Sequence, residues 1–467
     1  MKYIVVTGGI ISGLGKGITS SSIGMLFKSA NVNTTAIKID PYLNIDAGTM
    51  SPNEHGECYV LEDGYESDLD LGNYERFLNI KLSKQHNITT GQVYEKVISD
   101  EREGRYLGKT VQIIPHITNE IKNRIVTASK IEIDGKVPDL CIIEVGGTVG
   151  DIEVSPFIEA IRQMRYVDNH EMYFVHLVMV IENKEIKTKP LQHSIANCRT
   201  LGLYPDMLVV RSTSELPKSV VAKISAFCQI PETNVINSHD VHNIYYVPEM
   251  FLNQDICKKI NNKLNIFPSD ISYDLNNYNK IIQYFDNIGQ KREFRLGIVA
   301  KYLESQDTYL SLIRAIEHAS FSLDLFIHVD WLDSEEYMDS SKCTTLECYD
   351  GFIVPGGFGT RGIGGKLNVI RFARTNNKPI LGICLGMQIM VVDIYNITHS
   401  GKSSEWDNFD GTDNVVDIID PENKYMGNTM RLGNKKVYIN ENSKSYQLYN
   451  SRHILERHRH RYNVDHY

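Results

Sequence analysis

Twice along this chain, short apolar runs rich in β-branched residues alternate with stretches of helical periodicity. That is the pattern of an open, mostly parallel sheet flanked by helices. The first series predicts strands at Tyr3–Val6, Thr34–Ile39, Asp139–Glu144, Tyr173–Val180, Met207–Arg211 and Thr233–Asn237. The second starts near Phe294, with Arg295–Ala300, and continues through Ser322–His328, Gly351–Pro355 and Pro379–Cys384. Between them, residues 266–293 are polar and rich in Asn, Asp and Tyr, and read as a linker with one helix around Asn279–Phe285. The expected fold class is α/β, with two open-sheet domains at 1–265 and 294–467. A chain of 467 residues is too long for one ordinary core, which agrees.

Composition removes several function classes. The net charge of -9 argues against a general nucleic-acid surface. No apolar run is long enough to span a bilayer, and no secretory leader is evident, so no membrane partner is expected. The eight cysteines are scattered without a C-x-x-C pair, and nothing completes a metal site around Cys343 and Cys348. Free thiols in a reducing cytoplasm are the expectation. Residues 398–425 are acidic and Gly/Asn-rich, which suggests a loose surface excursion.

The first strand runs into Thr7-Gly-Gly-Ile-Ile-Ser-Gly-Leu-Gly-Lys-Gly17 and then a helix from Ile18. Glycines let backbone amides approach phosphate oxygens, and the helix N-terminus and Lys16 add positive potential. The loop is a variant: its spacing is one residue longer than the Walker pattern, and Gly17 stands where a Ser or Thr usually holds Mg²⁺. Other oxygens must then serve. Asp68 and Asp70 are candidates, read as two carboxylates on one face of an extended segment. Glu144 ends a buried strand at the position where open α/β sheets bind ligands. The lysines of Lys184–Lys189 could hold a second triphosphate.

Lys378-Pro-Ile-Leu-Gly-Ile-Cys-Leu-Gly-Met-Gln388 reads as strand, sharp turn and helix, with Cys384 at the elbow. Such a nucleophile is lifted clear of the sheet at a helix N-terminus, which stabilises a thiolate. Covalent chemistry on an acyl or amide carbon is the expectation.

These segments together resemble the CTP synthase family over nearly the whole chain. The resemblance is carried by Gly8–Gly17, Lys38-Ile-Asp-Pro-Tyr42, Asp68–Arg76, Val111–Thr118 and Glu144-Val-Gly-Gly-Thr-Val-Gly-Asp-Ile-Glu153. Further on it is carried by Lys187-Thr-Lys-Pro190, Pro355-Gly-Gly-Phe-Gly359, Gly382–Gln388, Gly427–Gly433 and Glu456–Tyr462. Asn73 and His239-Asp-Val241 look more like the eukaryotic branch.

The resemblance implies a P-loop-type, dethiobiotin-synthetase-like first domain and a flavodoxin-like class I glutaminase second domain. It implies that ATP phosphorylates the uracil 4-oxygen of UTP and that ammonia displaces the phosphate. The ammonia comes from glutamine through an internal tunnel. By resemblance, Gly13, Leu14, Gly15, Lys16, Gly17 and Ile18 hold ATP phosphates, with His239, Asp240 and Val241 on the adenine side. Asp70 and Glu144 hold Mg²⁺. Ser12, Lys187, Thr188, Lys189, Pro190, Leu191, Gln192 and Lys223 match UTP positions. Asp151, Ile152 and Glu153 match the site where CTP inhibits. Cys384 attacks glutamine, Gly357 and Leu385 supply oxyanion donors, and Gly386, Met387, Gln388, Glu405 and Arg461 line the glutamine site. GTP activation, a homotetramer and filaments are further implications.

The family completes its nucleophile with a His-Pro-Glu segment beyond the Arg461 motif, and none occurs in these 467 residues. Weak or absent glutaminase activity is therefore expected, since ammonia must be protonated as it leaves. His328-Val-Asp330 has the right local form but precedes the elbow. The segment before Lys187 is shorter than the family's loop. The alternative reading is a non-catalytic, nucleotide-binding relative that forms oligomers. Lys16, Asp70, Glu144, Lys187, Lys189 and Lys223 are all present, which favours an enzyme.

Overall fold

The computed structural model describes residues 1–9, 13–182, 185–268, 271–397, 402–406, 414–419 and 430–464. The chain divides into two compact units, one of residues 1–46 and 70–282, the other of residues 47–69 and 283–467. Among the described residues no helix is long and apolar enough to cross a membrane. All eight cysteines are free.

The first unit is built on strands β1 (Lys2–Gly8), β2 (Thr34–Asp40), β3 (Asn87–Thr89), β4 (Leu140–Val145), β5 (Met172–Met179), β6 (Met207–Ser212) and β7 (Val235–His239). They form one sheet in the order β7-β6-β5-β1-β4-β2-β3. Every pair is parallel. Strands β2 and β4 are buried along their full length, so neither shows the alternating exposed face of a half-buried strand. From β1 the chain passes to β2 and the edge strand β3, returns with β4 between β1 and β2, and then crosses β1 to build β5, β6 and β7 outward on the other side. Ligands collect at the carboxyl ends of strands beside such a reversal. Four helices matter there: α1 (Lys16–Ser29), α2 (Leu69–Leu78), α3 (Ser155–Tyr166) and α4 (Lys189–Thr200).

The second unit has strands β8 (Arg292–Ala300), β9 (Leu325–Asp333), β10 (Gly351–Val354) and β11 (Ile380–Gly382) in the order β9-β8-β10-β11, again all parallel. Helices α5 (Leu310–Leu323), α6 (Ile363–Thr375) and α7 (Leu385–Tyr395) connect or follow them. Val299, Phe352, Val354, Val369, Ile370, Leu385 and Ile389 form the core that seats α6 and α7. An antiparallel hairpin of β12 (Arg431–Tyr438) and β13 (His453–His460) follows.

The expected strands are present with ends shifted by a few residues. One expectation fails. Asp68 and Asp70 do not share a face of an extended segment, because α2 begins between them at Leu69. Asp70 lies in the first helical turn, where a carboxylate meets the positive end of the helix dipole. Asp68 belongs to the other unit and lies 3.7 Å from His55 Nε2.

Candidate active site

In the first unit, side chains of three adjacent strands converge. Val6 of β1 and Lys38 of β2 are both in register with Glu144 of β4. The Lys38 ammonium lies 2.9 Å from Asp40 Oδ1 and 2.8 Å from Asp70 Oδ2. The Tyr74 hydroxyl of α2 donates to Glu144 Oε2. Asn87 Nδ2 donates to Asp40 Oδ2 at 2.8 Å and ties β3 to the group.

Lys16 Nζ donates to the Gly147 carbonyl at 3.0 Å, just past β4. Helix α1 starts after Gly15, whose φ of 91° is open to glycine. Gly15 has no side chain to cap the helix and the first turn holds no acid, so its N–H groups stay available to an anion. The departure at Gly17 has a steric cause. A Cβ there would sit 1.9 Å from Asp70 Oδ1. The carboxylate of α2 stands where a side-chain hydroxyl would have pointed.

Electrostatics at this centre are tense. Burial pushes the Glu144 carboxyl well above its ordinary value, the Asp70 carboxylate adds to this, and Lys38, Tyr74 and Lys16 oppose it. Burial likewise pulls the Lys16 ammonium down, against Glu144 and Asp70. Two neighbouring carboxylates, one strongly desolvated, favour a further positive charge between them. A hard cation held by one or two carboxylates, with other positions left to phosphates and water, fits that donor set. Among the described residues no group of three or more His, Cys, Asp or Glu forms an all-protein metal cage.

Other expected site residues ring this centre. Asp151, Ile152 and Glu153 are exposed in the turn before α3. Thr188 is the N-cap of α4, and Lys189, Pro190, Leu191 and Gln192 form its first turn. Lys187 and Lys189 are exposed, and Glu185 faces both Lys187 and Lys223. His239 ends β7, three strands from β1, and Asp240 just beyond it pairs with Arg211 at 2.6 Å. Ser12 and Lys184 lie outside the described residues.

A buried polar relay joins the phosphate loop to α4. Thr7 Oγ1 lies 2.8 Å from His176 Nδ1 on β5, and His176 Nε2 lies 2.7 Å from Ser194 Oγ on α4. Burial drops His176 to about 3, so the ring is neutral. Sequence reading also passed over Lys38 and Tyr74 as site residues. A lysine inside a buried strand, within the Lys38–Tyr42 segment, was the available signal for the first. Tyr74 gave none.

In the second unit, Cys384 is the N-cap of α7 with φ 53° and ψ -109°, a conformation that β-carbon-bearing residues rarely adopt. The elbow is tight: a Cβ at Gly386 would fall 1.9 Å from the Val354 carbonyl. The thiol is not poised as a thiolate. Burial pushes it above its ordinary value, Glu405 adds to that, and the Leu385 N–H, Arg459 and the Gly357 N–H pull it down. Desolvation outweighs the helix N-terminus, which corrects the expectation from sequence.

The two expected oxyanion donors, Gly357 and Leu385, thus both face the sulfur. The Cys384 Sγ lies 3.6 Å from the Arg459 carbonyl. Glu405 accepts the Gly359 N–H at 2.9 Å and faces Lys301 and Arg461. Met387 and Gln388 lie in the first turn of α7, and Gln388 Nε2 donates to the Tyr462 carbonyl at 2.9 Å. The pair His328–Asp330 is on β9, at the opposite edge of the sheet from β11, and Asp330 is held by Arg295 at 2.7 Å.

Both parts of the chain match known families. Residues 2–266 match the family model "CTP synthase N-terminus", and residues 304–467 match "Glutamine amidotransferase class-I". The chain is 46% identical to CTP synthase of Methanothrix thermoacetophila over 477 aligned positions, covering all of this chain and 86% of that protein. It is 46% identical to CTP synthase of Methanosarcina acetivorans, covering all of this chain and 87% of that protein. It is 43% identical to CTP synthase of Candida glabrata, covering all of this chain and 86% of that protein.

Proposed function

The chain belongs to the CTP synthase family, and we propose that its phosphoryl chemistry is carried by Lys16, Asp70 and Glu144 while Cys384 serves only the supply of ammonia. The family's reaction is the ATP-dependent amination of UTP to CTP, with a glutamine amidotransferase domain. This makes the chain a carbon–nitrogen ligase of pyrimidine nucleotide synthesis.

One observation carries the assignment of roles. The Gly17 position is emptied of its side chain so that Asp70 can approach the phosphate loop, within reach of Lys38 and Glu144. In-line phosphoryl transfer asks the protein mainly for positioning and charge neutralisation. The N–H groups of α1 and Lys16 hold the ATP phosphates. Lys38 pins Asp70 and Asp40, and the Tyr74 hydroxyl orients Glu144. Asp70 and Glu144 would hold Mg²⁺, which when bound neutralises charge on the transferring phosphates. Lys187, Lys189 and Lys223, all exposed, receive the UTP triphosphate, and Asp151–Glu153 the inhibitory CTP. His239–Val241 take the adenine side.

In the second unit, Cys384 takes the γ-carboxamide of glutamine. Gly357 and Leu385 supply N–H groups for the oxyanion, and Glu405 and Arg461 bind the amino-acid end. A homotetramer, filaments and activation by GTP come into the proposal from the family. The test is a spectrophotometric UTP-to-CTP assay with ATP and Mg²⁺, run with an ammonium salt and with glutamine. CTP formation from ammonium that requires Lys16 supports the assignment. No CTP from either nitrogen source overturns it.

A further inference from the structure

The loop after β10, Pro355–Gly359, has its peptide units fixed almost one by one by side chains. Lys366 on α6 donates Nζ–H to the Pro355 carbonyl at 2.9 Å. Lys301, immediately after β8, donates to the Phe358 carbonyl at 2.6 Å and to the Gly359 carbonyl at 3.0 Å. The Tyr302 hydroxyl accepts the Phe358 N–H at 3.2 Å, and Glu405 accepts the Gly359 N–H. Three of the four peptide units of the loop are therefore pinned. The fourth, Gly356–Gly357, presents its N–H to Cys384.

Both lysines are nearly without exposure, Lys366 at 0% and Lys301 at 2%. Lysine is almost never buried without a partner, and here the donors go to backbone carbonyls of a single loop. A glycine-rich loop has no steric barrier that would keep a carbonyl from turning toward the thiol. A carbonyl oxygen in that place would repel a developing oxyanion, so something must exclude it.

We propose that Lys301 and Lys366 are positioning residues for the thiol centre. They hold three carbonyl oxygens of the loop so that the Gly357 N–H stays aimed, with that of Leu385, at the oxyanion formed when Cys384 attacks a γ-acyl carbon. This rests on the reading of Cys384 as the nucleophile. Burial lowers Lys366 to about 7 and Lys301 to about 8, and in either protonation state the amine keeps N–H donors for the carbonyls.

The test separates attack on a carbonyl from simple thiol reactivity. With a γ-glutamyl p-nitrophenyl ester, the Cys384 sulfur bonds to the γ-carbon and the ester C–O bond breaks. p-Nitrophenolate leaves as the anion and the thiol proton goes to solvent, so no leaving-group acid is needed. Iodoacetamide alkylates the same sulfur by displacing iodide and forms no oxyanion. Lys366→Met is expected to slow the p-nitrophenolate burst about ten-fold or more while alkylation stays within about two-fold. Lys301→Met, at the other end of the loop, is the independent second variant and is expected to do the same. An unchanged burst in both variants, or an equal fall in burst and alkylation, overturns the proposal. A burst that survives Cys384→Ala would instead overturn the nucleophile reading.

Discussion

The two sites use their lysines differently. In the first unit Lys38 is paired with the side-chain carboxylates of Asp40 and Asp70, and Lys16 lies in the field of Glu144. Around Cys384, Lys301 and Lys366 are paired with backbone carbonyls. The contrast follows from the chemistry. Phosphates bring several negative charges that must be met by mobile cations and lysines. Acyl transfer creates one oxyanion, best met by fixed backbone dipoles. One centre is thus a set of charged side chains and the other a shaped backbone, and they should fail in different ways.

The largest break in this contrast is expected from Lys16→Ala. Loss of the phosphate-loop cation should lower ammonia-supported CTP formation by about a thousand-fold, read by the same spectrophotometric assay. Gly17→Ser should come next. Its Cβ collides with Asp70 Oδ1, so activity should fall about a hundred-fold and the Mg²⁺ concentration for half-maximal rate should rise. A Ser that restored the usual loop and left both unchanged would contradict the steric account.

Smaller effects sharpen the comparison. Because burial raises the Cys384 thiol, its iodoacetamide alkylation should be slower than that of a free cysteine at neutral pH. Its rate-against-pH midpoint should lie above the ordinary thiol range; a midpoint below it would restore the thiolate reading. The smallest effect concerns His176, whose folded value of about 3 lies under its ordinary 6.5. Between these values the unfolded chain binds the extra proton, so stability falls as pH drops through that window. His176→Asn should flatten that acid limb by about 1 kcal/mol or more, measured by urea unfolding at several pH values. An unchanged limb would mean the relay does not hold a neutral ring.

Much of this was legible in the sequence, for local reasons. Buried parallel strands are rich in β-branched and other apolar residues, so six of the seven strands of the first sheet could be read directly. The seventh, Asn87–Thr89, is three residues long and carries no period. The phosphate loop and the elbow were readable because glycine spacing encodes close backbone approach. The pairing of Lys38 with Asp70 was not, because it depends on where α2 begins and how it packs. The affiliation of residues 47–69 with the second unit depends on long-range contacts that no local pattern marks. The ionisation of Cys384 was misjudged because a helix N-terminus is visible in sequence and the depth of burial is not.

The central claim is that CTP is made at the charged centre of the first unit and that the thiol centre only provides nitrogen. Its most direct test is ammonia-supported CTP formation by Cys384→Ala set beside the unaltered chain. The account predicts equal rates. A rate that falls with the loss of the thiol, when ammonia is supplied directly, would contradict it.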